Sequence, residues 1–170
     1  MGLLEPHGRH GLRDGEAGVT GWIGGIARHA ASRGPIELLE RVRITVAAGV
    51  EGNRHGVIAP GGRGRRQVSL IEAGDWAAAT AEAGVNIPWW ERRANLLVED
   101  FDLPHGGDVR LRIGKDVVLE IKAEIDPCER MDELAPGLRQ ALVPDWRGGA
   151  GGKVIAAGLI AIGDMVRIEE

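Results

Sequence analysis

The chain has 170 residues, 44% of them hydrophobic and 27% charged, a composition that fits one domain with its own core. A formal charge of −4 argues against a protein that coats nucleic acid, because such binding rests on surplus cationic charge. No apolar run approaches the roughly 20 residues that cross a bilayer, and the N-terminus lacks a signal-peptide pattern, so a cytoplasmic protein with neither membrane nor nucleic-acid partner is expected. The single cysteine, Cys128, fits a reducing compartment and excludes an internal disulfide. Its possible uses are packing, metal ligation, nucleophilic attack or carriage of a sulfur atom. The basic residues are mostly arginine, the side chain suited to a two-pronged grip on phosphate or carboxylate.

Residues 1–20 are rich in Gly, Arg, His and Glu with almost no apolar periodicity. They read as a tail that need not pack, ahead of a domain spanning residues 21–170. His7 and His10 look like a metal pair, but a tail without further ligands makes the pair adventitious. Residues 21–28 and 36–47 carry short apolar runs bounded by Gly and Pro, which predicts strands. Residues 65–71 alternate polar with apolar and predict another, followed by an Ala-rich helix over residues 72–83 that Gly84 stops. Val109, Leu111 and Ile113 alternate with Arg110 and Arg112, and Gly114-Lys115-Asp116 turns the chain. A second strand over residues 117–125 completes a hairpin leading towards Cys128. Asp132 is placed to cap a short helix through Leu142, interrupted or delayed by Pro136-Gly137. Three short β runs at residues 154–156, 159–162 and 165–168 close the chain. Many short strands with one or two helices predict a mainly β, mixed α+β domain, barrel-like because short strands need closure or cover for their edges.

Four segments carry candidate chemistry. The Gly148-Gly149-Ala150-Gly151-Gly152-Lys153 run is no Walker loop, since Arg147 and Val154 stand where that motif needs Gly and Ser or Thr. It reads instead as a flexible loop whose N–H groups form an anion nest rimmed by Arg147 and Lys153, or as a plain surface loop. Asn53, Arg54 and His55 share a polar loop, although turn chemistry wants the same Gly and Asn. Trp89 and Trp90 precede Arg92 and Arg93. They are either core anchors or a support that aims arginine at an anion. Around Cys128, the carboxylates of Asp126, Glu129 and Asp132 disfavour a thiolate, and only Arg130 offsets them locally. Help from distant groups such as Arg93 or Arg147, or from a metal ion, is therefore expected. His29, His55 and His105 are available partners, but nothing near Cys128 reads as a nucleophile at a helix N-terminus, so a Cys-His hydrolase is a poor fit.

Taken in order, Gly52-Asn53-Arg54-His55, Arg66-Gln67-Val68-Ser69-Leu70, Arg93-Ala94-Asn95-Leu96, Pro127-Cys128, Arg147-Gly148-Gly149 and Gly163-Asp164-Met165-Val166 resemble the MOSC domain, the family named for the C-terminal part of molybdenum-cofactor sulfurase. The similarity spans about residues 21–168. It implies a β-barrel-like fold with a few short helices. It also implies that Cys128 is either a sulfur carrier through a persulfide or the protein ligand of molybdenum in a molybdenum-pterin cofactor. Some relatives reduce N-hydroxylated compounds with electrons from a redox partner. By the same resemblance Asn53, Arg54, His55, Arg93, Asn95, Arg147, Gly148 and Gly149 bind the cofactor. Asn53 stands where the family usually has Asp, and Ala150-Gly151-Gly152 replaces a bulkier segment. Within 170 residues, no pyridoxal-phosphate, flavin or iron–sulfur module is expected beside this domain. A sulfur donor such as a cysteine desulfurase, or an electron-donor protein, is the expected partner. A ligand-binding module whose cysteine merely packs is the remaining alternative.

Overall fold

In the computed structural model, which describes residues 19–170, the first apolar alternation forms β1 (Thr20–Arg28), followed by β2 (Glu37–Leu39), β3 (Arg41–Thr45) and β4 (Gly49–Val50). Next come β5 (Val68–Glu72), α1 (Ala73–Ala83) and a 3-10 turn at Trp89–Arg92, then β6 (Leu96–Glu99), β7 (Arg110–Ile113) and β8 (Val117–Glu124). Two short helices, α2 (Glu129–Leu134) and α3 (Leu138–Ala141), and a second 3-10 turn at Pro144–Trp146 lead into β9 (Ala150–Ala156), β10 (Gly158–Ala161) and β11 (Met165–Ile168). The tail and the His7 and His10 pair fall almost wholly outside the described residues, and Thr20 already belongs to β1. No helix among the described residues is long and apolar enough to cross a membrane.

Seven strands close a barrel in the order β1-β11-β7-β8-β9-β5-β6, with β6 returning to β1. Every pairing around it is antiparallel except β5 with β6. Closure removes the unpaired edges that strands of four to nine residues would otherwise present. The strand β2 extends β1 beyond β11, and β10, β3 and β4 make a separate small sheet. Side chains pointing inward, among them Ile23, Leu70, Leu96, Leu111, Leu119 and Val166, join Val42, Ile44 and Ile160 of the small sheet in one buried cluster. Each fully buried aliphatic chain stabilises the fold by about 1.5–3 kcal/mol.

A parallel pair needs a long crossover, and α1 with the first 3-10 turn supplies it. Ile71 and Leu97 lie opposite each other in register and face out of the barrel into a second cluster with Trp76, Met131, Leu138 and Leu142. Helices thus cover β5 and β6 on the outside, which is why Leu70-Ile71 and Leu96-Leu97-Val98 are apolar on both faces of the sheet. Gly84 ends α1 in a left-handed conformation (φ 70°), as its position predicts.

Three expectations change. The strand expected from Arg65 begins at Val68, because Arg65 and Arg66 are in a turn that follows Gly64 (φ 66°). The helix expected at Asp132 starts earlier, with Cys128 at its N-cap. Asp132 instead accepts the Arg139 N–H (3.2 Å) at the start of α3, after Gly137 (φ 87°) has broken the chain direction. The Gly-rich run is not a loop: residues 150–153 lie in β9 and their backbone is paired with β5 and β8. These glycines permit close approach of neighbouring backbone, since a Cβ at Gly151 would lie 2.4 Å from the Arg65 carbonyl oxygen. An anion nest is therefore excluded there, because N–H groups committed to a ladder cannot hold an ion.

Glu72, at the end of β5, is buried next to Asp75, with 8% of its surface exposed. Burial first, then the Asp75 charge and a hydrogen bond with Asp75, push its carboxyl up to about 9. The folded state holds that proton more tightly than the unfolded chain does. The stabilisation is complete below the ordinary carboxylate range and is lost as pH rises through about 9. Urea unfolding across that window is expected to show stability falling with rising pH, by at most about 1.4 kcal/mol per pH unit from this group. Glu72→Gln should flatten the slope, and an unchanged slope would contradict the assignment.

Candidate functional site

The crossover ends at an arginine pair. Trp89 fills the space above Gly25, where a Cβ would lie 2.5 Å from the indole, and meets Trp90 edge to face at 6.3 Å. The tryptophans anchor the 3-10 turn, and Arg93 leaves it in a left-handed conformation (φ 65°), which costs a residue with a side chain roughly 1–2 kcal/mol. That reversal sends consecutive guanidinium groups to different walls of one cavity. Arg92 bonds the Gly148 carbonyl (2.9 Å) and the Ile125 carbonyl (3.0 Å). Arg93 bonds the Gly34 carbonyl (2.8 Å) in the segment between β1 and β2, and its Nε is buried without a hydrogen-bond partner among the described residues.

Asn95 closes the floor. Its Oδ1 accepts from the Ser69 N–H (3.0 Å) and hydroxyl (3.1 Å), and its Nδ2 donates to the Ala27 carbonyl (3.1 Å). One amide with 1% exposure thus ties β1 and β5 to the start of β6. Asn53 performs a similar task higher up, accepting the His29 N–H (3.1 Å).

The cavity so enclosed has a volume of about 530 Å³, within the range of small-molecule sites. Cys128 lies on its lining and is exposed, which removes the packing explanation of the cysteine. Five arginines, Arg33, Arg66, Arg92, Arg93 and Arg130, line it against two glutamates, Glu91 and Glu133. This is a cationic surplus in a chain of formal charge −4. Arg33 is paired with Glu133 (3.2 Å), whereas the guanidinium groups of Arg66 and Arg130 make no hydrogen bond or ion pair among the described residues. Cations held in a concave, partly desolvated site focus field lines on an incoming anion.

Of the residues expected at the site, Cys128, Asn53, His55, Arg93, Asn95 and Gly148 line the cavity. Arg54, Arg147 and Gly149 do not. Arg54 is exposed, and among the described residues only its backbone N–H is engaged, on the His29 carbonyl (2.9 Å). The expected convergence of Arg147 on Cys128 fails, because the 3-10 turn at Pro144–Trp146 delivers this side chain to the helical layer. There it bonds Glu82 (2.8 Å) and the Ala141 carbonyl (3.0 Å). Gly149 is a backbone device: with φ 106°, a Cβ would lie 2.4 Å from the Leu70 carbonyl oxygen. Cys128 also stands at a helix N-cap, contrary to the reading of its local sequence, although α2 has only six residues.

Sequence reasoning missed Arg33, Arg66, Arg92 and Arg130 as lining residues. Arg66 was within a quoted motif and Arg92 beside Arg93, so both had a signal. Arg33 had none. Among the described residues no group of three or more His, Cys, Asp or Glu side chains is arranged to hold a metal ion.

His29 and His55 stand edge to face, with ring centroids 6.4 Å apart. Burial, and then the charges of Arg93, His55, Arg130 and Arg54, lower His29 from 6.5 to about 4. Burial and then Arg54 and Arg66 lower His55 as well. Both imidazoles are thus held neutral by a site that repels further positive charge. The unfolded chain binds protons here that the folded one refuses. The His29 contribution is complete above 6.5 and is lost as pH falls towards about 4, a slope opposite in sign to that of Glu72. His29→Gln is expected to reduce the acid-side loss of stability in urea titrations, and an unaltered acid limb would contradict it.

Comparison with known proteins supplies the family context. The profile of the MOSC domain matches residues 37–167. Among solved structures, the YUAD protein from Bacillus subtilis superposes with a TM-score of 0.71 at 20% identity, covering 86% of this chain and 94% of that one. YiiM from Escherichia coli gives a TM-score of 0.62 at 12% identity, covering 88% and 70%. YiiM from Geobacillus stearothermophilus gives 0.59 at 12% identity, covering 89% and 74%. These likenesses establish the fold. Among curated proteins no sequence matches the chain.

Proposed function

Since the chain belongs to the MOSC domain family, we propose that it binds a phosphate-bearing, molybdopterin-type cofactor in the arginine-lined cavity, with Cys128 carrying sulfur for it as a persulfide. One observation carries this reading: an exposed thiol on the lining of a cavity whose Arg66 and Arg130 have no side-chain partner among the described residues. The donor set fits the group. Arg66 and Arg130, without side-chain partners among the described residues, are placed to take phosphate oxygens through charge-assisted hydrogen bonds, and the buried Nε of Arg93 is a donor that finds no acceptor among those residues. Neutral His29 and His55 add polar edges without competing charge. When bound, such a cofactor supplies a metal centre with two-electron chemistry.

The sulfur step needs no outside oxidant. The Cys128 thiolate attacks the outer sulfur of a donor's persulfide, the donor's S–S bond breaks, and the donor leaves as a thiolate while Cys128 becomes S–SH. A cysteine desulfurase is the donor of suitable chemistry. The exposed position of Cys128 supports this, because a partner's persulfide must reach it.

A second reading rests on the cavity itself. A carrier needs only an accessible thiol, whereas a cationic cavity of this size is built to retain a ligand. Cys128 would then be the soft ligand of molybdenum, and the domain a small reductase of N-hydroxylated compounds supplied by an electron-donor protein.

Mass spectrometry separates the two. Incubation of the wild-type protein with a cysteine desulfurase and cysteine is expected to add one reducible sulfur, and Cys128→Ser should gain none. If Cys128 binds molybdenum instead, the wild type should retain pterin and metal after reconstitution and reduce an N-hydroxylated substrate, again with loss in Cys128→Ser. Failure of the wild type in both assays would sink both readings.

A further inference from the structure

We propose that Arg92 is the positioning residue of Cys128, a buried fork that fixes the chain leading into the thiol against the opposite wall of the cavity. The inference rests on the reading of Cys128 as the working residue and deepens it. The ladder between β8 and β9 ends at Glu124 opposite Ala150, and one further backbone bond follows, from the Ile125 N–H to the Gly149 carbonyl (2.9 Å). Beyond that point the two segments have no ladder, and Arg92 takes its place. Its Nε donates to the Gly148 carbonyl (2.9 Å) on one side. Its Nη2 donates to the Ile125 carbonyl (3.0 Å) and, at 3.4 Å, to that of Asp126 on the other. Cys128 follows two residues later.

The fit leaves no slack. A Cβ at Gly148 would lie 2.6 Å from the Ile125 carbonyl oxygen, 3.2 Å from Pro127 and 3.3 Å from Arg92 Nη2. Downstream, the Cys128 carbonyl accepts the Met131 N–H (3.0 Å), and Met131 is anchored in the helical cluster at 2% exposure. The thiol is open to solvent while the backbone on both sides of it is held.

Arg92 itself is 9% exposed, and its side-chain hydrogen bonds among the described residues all go to neutral carbonyls, with no carboxylate in ion-pair range. Burying a charge without a counter-ion is costly. A neutral side chain could fill the volume, but it could not bridge three carbonyls in fixed directions. The planar guanidinium fork does so, and a lysine's single ammonium does not.

The test exploits the single cysteine, which accepts a trifluoromethyl label at one place only. In the wild type, the label on Cys128 is expected to give a single sharp fluorine resonance, with backbone order parameters at residues 126–129 near the ~0.85 of rigid backbone. Arg92→Met should split or exchange-broaden the resonance and slow desulfurase-dependent sulfur uptake on the order of tenfold. Arg92→Lys should not restore either property, whereas Val166→Ala, a core change outside the cavity lining, should lower stability and leave the label signal alone. A folded Arg92→Met or Arg92→Lys protein with an unchanged resonance would overturn the proposal. So would wild-type order parameters at residues 126–129 below ~0.6, a measurement that needs no variant to fold. The label and relaxation readouts hold whether or not Cys128 accepts sulfur, so failure of the positioning role and failure of the sulfur-carrier reading are separately visible.

Discussion

The parallel pairing of β5 with β6 is the constraint on which the site depends. In a barrel otherwise closed by antiparallel ladders, one parallel pair forces the chain to travel the length of the domain between them. That path is α1 and the Trp89–Arg92 turn. The returning chain must re-enter the barrel beside Ser69, and it does so through Asn95, whose amide satisfies Ser69 and Ala27 together. Truncating such a buried amide leaves polar groups on two strands without partners, at about 1–3 kcal/mol each. The re-entry point is also where Arg92 and Arg93 diverge, so the joint that closes the barrel also builds two walls of the cavity.

Electrostatics then gives the cavity its character. The chain is acidic as a whole, yet arginine is gathered at one concave place, and two histidines are held neutral by the same surroundings. Gathering like charges in one place is unfavourable in itself, and an anion is the kind of partner that would relieve it. The helical layer behaves differently. There half-buried Arg147 meets the exposed Glu82, an ion pair of about 1 kcal/mol.

Much of this was legible in the sequence, and the failures have definite causes. The β7 and β8 hairpin and the stop at Gly84 follow from local chemistry, namely alternation, a turn and a left-handed cap, and they appear where the pattern puts them. The ordered motifs located Cys128, Asn53, His55, Arg93, Asn95 and Gly148 on one cavity. The run from Gly148 to Lys153 was misjudged because glycine chosen for a turn and glycine chosen for close approach have the same composition. Only the Arg65 and Leu70 backbones facing it reveal the second reason. Arg147 was expected beside Cys128 and lies in the helical layer for a similar cause. Which arginine faces the cavity is decided by the left-handed residue at Arg93 and by the turn at Pro144–Trp146, and neither conformation is written in the spacing of charges.

The central claim is that Cys128 and the uncommitted arginines belong to one anion-binding cavity. The most direct measurement is the alkylation rate of Cys128, followed by intact mass as a pterin monophosphate is titrated in. A saturable slowing that disappears in Arg66→Ala and Arg130→Ala is the expected result. A rate that stays constant up to the solubility limit of the pterin, or slowing that persists in both variants, would contradict the claim.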